Sequence, residues 1–154
     1  MDIYFKSKDD VVPVQLQIRP LVNGHPSSID IVPGSIVFKS PAAINITDDA
    51  STPSTFEFDE PVFLLPYQEY AIVLIAESDE FNVYVAEGDK FFLNSTEKRI
   101  ASQPSLGSLF KSQNATTWNA DQTKDLMFRI HRAKFTLGTH TAVLENASVP
   151  RKLL

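Results

Sequence analysis

Three histidines, a few acidic pairs and a handful of aromatic rings are the side chains in this sequence with the means to do chemistry. His25 sits in an Asn-Gly-His-Pro turn, His131 on the polar side of an alternating run, and His140 in the C-terminal stretch. No two share a metal-ligand spacing such as a pair four apart on a helix. The chain has no cysteine, which removes thiolate ligands, disulfides and cysteine nucleophiles together. Gly107-Ser108-Leu109 lacks the flanking glycines of a nucleophile elbow, and no helix is predicted after it. The sequence therefore predicts no catalytic residue, no metal ligand and no cofactor.

The carboxylates pair in loops, at Asp48-Asp49, Asp59-Glu60 and Asp79-Glu80. Two acids facing each other across a cleft would suit glycoside hydrolysis, and a loop cluster would suit calcium. Turn formation is the simpler expectation, because Asp bonds its own nearby backbone. The aromatic side chains offer contact rather than reaction. Tyr4 and Tyr84 fall on the outward positions of alternating runs, and Tyr67 lies in the Pro66-Tyr67-Gln68-Glu69 turn. Such rings can stack a glycan, or pack under neighbours with the hydroxyl wet. Phe91-Phe92-Leu93 is an apolar run in polar surroundings, suited to a core plug or a protein interface. Together with Trp118, these are the candidate ligand or interface residues.

The elements that must position them have a period of two. Val14, Leu16 and Ile18 alternate with Gln15, Gln17 and Arg19, which predicts a strand with one wet face. Ile3 and Phe5, Phe56 and Phe58, Val83 and Val85, and Leu126, Phe128 and Ile130 repeat the pattern. Tyr70-Ala71-Ile72-Val73-Leu74-Ile75 is apolar on both sides. It predicts a central strand covered on both faces, by the fold itself or by a partner. Shorter strands are expected at Ser35–Lys39, Val62–Leu65 and Ser108–Ser112. Ten prolines and five glycines punctuate these runs, with Asn23-Gly24 and Pro33-Gly34 as turns. Helical turns are expected only at Ser40–Ile44 and Asn119–Lys124. The fold class is all-β, an antiparallel β-sandwich or jelly roll with one or two short helical turns.

The 154 residues suffice for one domain with its own core. Residues 1–136 are assigned to the sandwich and 137–154 to an extension or linker, whose Leu153 and Leu154 suggest truncation or a partner. The net charge of −5 and the lack of a basic stripe argue against nucleic acid, whose affinity comes from phosphate neutralisation. Charges throughout Met1–Asp10 argue against a signal peptide. No run approaches the roughly 20 apolar residues of a membrane span.

Two stretches are distinctive in combination. One runs from Ile3-Tyr4-Phe5 and Lys8-Asp9 through Pro13-Val14 to Ile18-Arg19-Pro20-Leu21-Val22-Asn23-Gly24-His25-Pro26-Ser27-Ser28. The other is Gln103-Pro104-Ser105-Leu106-Gly107-Ser108-Leu109-Phe110-Lys111-Ser112-Gln113-Asn114, continuing to Thr117-Trp118, Gln122, Asp125-Leu126 and Phe128. Between them Phe56, Phe58, Pro61-Val62-Phe63-Leu64 and Glu69-Tyr70 keep order. Over residues 2–135 the chain resembles a β-sandwich domain of the long tail and baseplate proteins of contractile-tailed bacteriophages, especially of marine bacteria. The resemblance implies a virion structural module, made in the bacterial cytoplasm. Its partners would be neighbouring segments of a larger virion polypeptide or other tail proteins, with a homo-oligomer or a glycan as further partners. It implies that Trp118 anchors a turn at one end of the sandwich. In that family another strand leads into the segment like Asp2-Ile3-Tyr4-Phe5, whereas here Met1 abuts it. That predicts either a piece of a larger protein or a short version of the domain.

Overall fold

The computed structural model describes residues 1–101, 107–139 and 141. Most of the 137–154 extension, with His140, and the Gln103–Leu106 part of the second distinctive stretch lie outside the described residues. The fold is all-β, and every ladder between its named strands is antiparallel. In chain order the strands are β1 (Asp2–Ile3), β2 (Phe5–Ser7), β3 (Val14–Val22), β4 (His25–Pro26), β5 (Val37–Lys39), β6 (Ser54–Thr55), β7 (Tyr70–Ile75), β8 (Asn82–Val83), β9 (Val85–Glu87), β10 (Leu109–Lys111), β11 (Asn119–Asp121), β12 (Lys124–Leu126) and β13 (Phe128–Arg129).

The nine-residue β3 is the hub. It turns back through Asn23-Gly24 into β4, and both turn residues adopt the positive φ of a tight hairpin. It also pairs β5 and, over six positions, β7. A smaller sheet has the order β13-β1-β6, and β2 pairs β8. The core is a cluster of Ile3, Phe5, Val14, Leu16, Ile44 and Phe56, with Phe58, Ile72, Leu74 and Val83 packed against it. The alternating inward residues of β1 to β3 thus meet as their period requires.

Several expectations are corrected. The second face of β3 is dry: Gln17 and Arg19 are buried there. Arg19 donates to Gln17 Oε1 (2.9 Å), the Ser27 carbonyl (3.0 Å) and the Ala115 carbonyl (2.8 Å). Two loops therefore close over a face that reads as wet, because the guanidinium satisfies their carbonyls. Tyr4, expected outward, is only 5% exposed. Asp2, two residues before it on the same face, is also buried and bonded to Thr55 and His131, so this face is covered too. The two-sided apolar β7 is not central: among the described residues it pairs β3 alone. Val62–Leu65 forms no strand, and Phe63 there is 77% exposed. Asn119–Lys124 is no helical turn: it comprises β11, a turn at Gln122 and Thr123, and the first residue of β12, with Asp121 Oδ1 accepting from Thr123. The other helical turn holds, as a 3-10 turn at Pro41–Ala43 with proline at its start. Phe56 and Phe58 pack inward, though the strand expected to carry them ends at Thr55 of β6 and holds neither. Ile130 faces out at 60% exposure, since pairing ends at Arg129.

Candidate functional site

The polar groups first considered for chemistry are used locally. Asp49 Oδ1 accepts from Ser51 N, and exposed Asp48 lies 3.7 Å from Lys6. Asp9 closes its own turn by accepting from Val11 N and Val12 N, and it accepts from Ser78. Those backbone bonds hold its carboxyl below the usual carboxylate range. His25 bonds the carbonyl of Asn23 within its own turn. Among the described residues no three His, Cys, Asp or Glu converge to hold a metal, and no helix is long and apolar enough to cross a membrane.

His131 makes the exception. Its Nε2 lies 2.8 Å from Asp2 Oδ2, while Thr55 donates to Asp2 Oδ1 and Arg129 stands 4.0 Å away. Burial pushes the Asp2 carboxyl up. The bonds from His131 and Thr55, with attraction to His131 and the amino terminus, outweigh it and hold the group below its ordinary range. With every oxygen engaged, this cluster clamps β1 to β6 and β13.

The aromatic candidates divide. Tyr84 lies between β8 and β9, and its hydroxyl donates to the Thr47 carbonyl at 2.5 Å, so it does not stand free as its outward position predicted. Tyr67 is fully exposed on its turn, at positive φ. Phe91 and Phe92 are about half exposed. They sit on a hairpin that continues β9, held by Phe92 N to Lys98 O (2.9 Å) and Ile100 N to Lys90 O (2.9 Å). Arg99 stacks on the Phe91 ring, 4.5 Å from its centroid. Phe91, Phe92 and Leu93 border a cavity of about 600 Å³ shared with Tyr84, Ile100 and Met127.

Trp118 follows a turn built on Asn114, whose Oδ1 accepts from Thr116 N and Thr117 N. Its indole borders a second cavity, of about 520 Å³. Five consecutive residues of β7, Tyr70 to Leu74, line that cavity with Phe81, Leu109, Phe110 and Asp125. Two polar atoms there, Trp118 Nε1 and Asp125 Oδ2, are sealed from solvent and have no hydrogen-bond partner. Burial raises the Asp125 carboxyl above its ordinary range.

The sequence reading missed Asp125 as a site residue, for it reads as one more outward position on a short strand. The available signal was β7, whose two apolar faces call for cover that the described chain supplies only in part. No family model, curated protein or solved structure matches the chain. What fold and site define together is an all-β domain with exposed apolar side chains, in which Val85, Asp125 and Leu126 of the β9–β12 ladder border both of the cavities described above.

Proposed function

We propose that the chain is a non-catalytic structural module of a bacteriophage tail or baseplate, built on a sandwich or jelly-roll plan and acting through protein–protein contacts. The observation that carries this reading is the ordered presentation of Phe91, Phe92 and Leu93. A hairpin with its own main-chain bonds holds three large apolar side chains about half exposed, beside a cavity. Apolar side chains grouped this way mark contact surfaces. Phe63, Leu64 and Leu65 add a second exposed apolar run. The likeness of residues 2–135 to phage tail and baseplate domains supplies the setting, a virion assembled from parts made in the bacterial cytoplasm. The carbohydrate reading lacks its platform: Tyr4 is buried, the Tyr84 hydroxyl is engaged, and Tyr67 shares no described cavity with either.

Immunogold labelling of virions from the encoding phage is expected to place this chain on the tail. Labelling absent from assembled particles would sink the proposal. Replacing Phe91→Ser and Phe92→Ser together is expected to weaken binding to the neighbouring tail polypeptide at least tenfold, with the melting temperature nearly unchanged.

A further inference from the structure

We propose that the groove beside β7 is a strand-addition site. It takes an extended segment of a neighbouring polypeptide, apolar at alternate positions, whose main chain pairs with the edge of β7 opposite β3. The inference rests on the contact-module reading and specifies one partner chemistry for it.

The first ground is the edge itself. β7 pairs β3 from Gln15↔Ile75 to Pro20↔Tyr70, and among the described residues no strand pairs its other side. Backbone N–H and C=O groups of a strand point alternately to its two sides, so half of those of β7 point away from β3. Edge strands are normally blunted by charge, proline or a bulge. Tyr70-Ala71-Ile72-Val73-Leu74-Ile75 has no charge and no proline, and its pairing with β3 runs without interruption.

The second ground is the shape. Successive side chains of a strand point to opposite faces. Five consecutive β7 residues border the cavity, so it meets the strand's main chain and not one side-chain face alone. None of the six β7 residues is exposed, so the edge is recessed. Leu109, Phe110 and Trp118 line the same cavity. A single extended chain fits such a slot, whereas a second copy bringing its own sheet would need an edge on an open rim.

The third ground is chemical. Trp118 Nε1–H lacks an acceptor and Asp125 Oδ2 lacks a donor, and both residues line this cavity. A buried polar group without a partner is costly. A peptide carries acceptors and donors along its length, and its alternate apolar side chains suit the Ile72, Leu74 and Phe81 surface. A purely apolar small molecule would leave β7, Trp118 and Asp125 all unpaired.

The test uses the full chain and a displayed library of octapeptides with Val, Ile or Leu at alternate positions. Trp118 is the only tryptophan and borders the groove, so its fluorescence and indole N–H resonance report binding there when read together with β7 amide exchange. Enriched peptides are expected to bind one to one, to shift both signals and to slow exchange of β7 amides at least tenfold. Methylating alternate backbone nitrogens of such a peptide should weaken it at least tenfold with its side chains unchanged. Failure of any peptide to enrich, binding that leaves β7 amides unprotected, or tolerance of N-methylation overturns the proposal. So does a concentration-dependent dimer protecting the same amides without peptide, which gives the edge to a second copy. Tail polypeptides held through Phe91 and Phe92 while β7 stays unprotected would leave the contact reading standing and remove strand addition. Peptide pairing at β7 in a chain absent from virions would do the reverse.

Discussion

Asp2 and Asp125 are both nearly buried carboxyls, yet they pull on stability in opposite directions. For Asp2 the folded state lies below the ordinary value of 3.8, so its contribution is present above that value and lost as pH falls through the folded one. For Asp125 the folded state lies above 3.8. Its burial cost is absent in acid and develops as pH rises through the folded value. Asp2→Asn is therefore expected to lower the melting temperature at pH 7, and Asp125→Asn to raise it by returning part of a penalty of about 1–3 kcal/mol. Both differences should shrink towards pH 3. Melting curves at the two pH values check the pair, and a destabilised Asp125→Asn at pH 7 would contradict the assignment. Arg19 makes a second test at this scale. Its planar fork spans carbonyls on two loops, which a lysine ammonium on a thinner stem does not reproduce. Arg19→Lys is expected to cost about 1–3 kcal/mol in urea unfolding and to quicken exchange in the 112–118 loop.

At the scale of elements, the Asn23-Gly24 hairpin decides whether β4 reaches β3 in register. Gly24 has φ +77 and open space around it, with nothing within 4 Å of an added Cβ. Gly24→Ala should therefore cost only its backbone strain, about 1–2 kcal/mol, read from chemical denaturation. Elements of this kind were legible in the sequence. The Asn-Gly turn, the alternation of β3 and the 3-10 turn behind Pro41 each follow from local sterics and period. Burial of the second face was not legible. Gln17, Arg19, Asp2 and Tyr4 read as wet because alternation reports polarity, and these side chains bring their own partners inside. The edge position of β7 was hidden for a related reason: an apolar pair of faces says that cover is needed, never which chain provides it. Likewise Phe91-Phe92-Leu93 was legible as an apolar run, while its half exposure depends on a hairpin closed by main-chain bonds that side-chain pattern does not encode. Trp118 and Asp125 come together only in the folded chain, where both border the cavity beside β7.

At the scale of the whole molecule, one core joins segments far apart in the chain. Phe5 is 1% exposed and touches the Phe56 and Phe81 rings at centroid distances of 6.4 and 6.3 Å. Phe5→Ala is expected to cost about 3–5 kcal/mol, and calorimetry should show one cooperative transition shifted as a unit. Survival of a separate transition for the β9–β12 region would mean that this region folds independently.

The pairing of β1 with β13, Ile3 against Phe128, has a consequence for biosynthesis. Ribosomes add roughly 5–20 residues per second, so Phe128 is made roughly 6–25 s after Ile3. During that interval the growing polypeptide carries Ile3 without the last strand of its sheet. A nascent chain arrested before Phe128 should bind holdase chaperones, and release of a few dozen further residues should end that association.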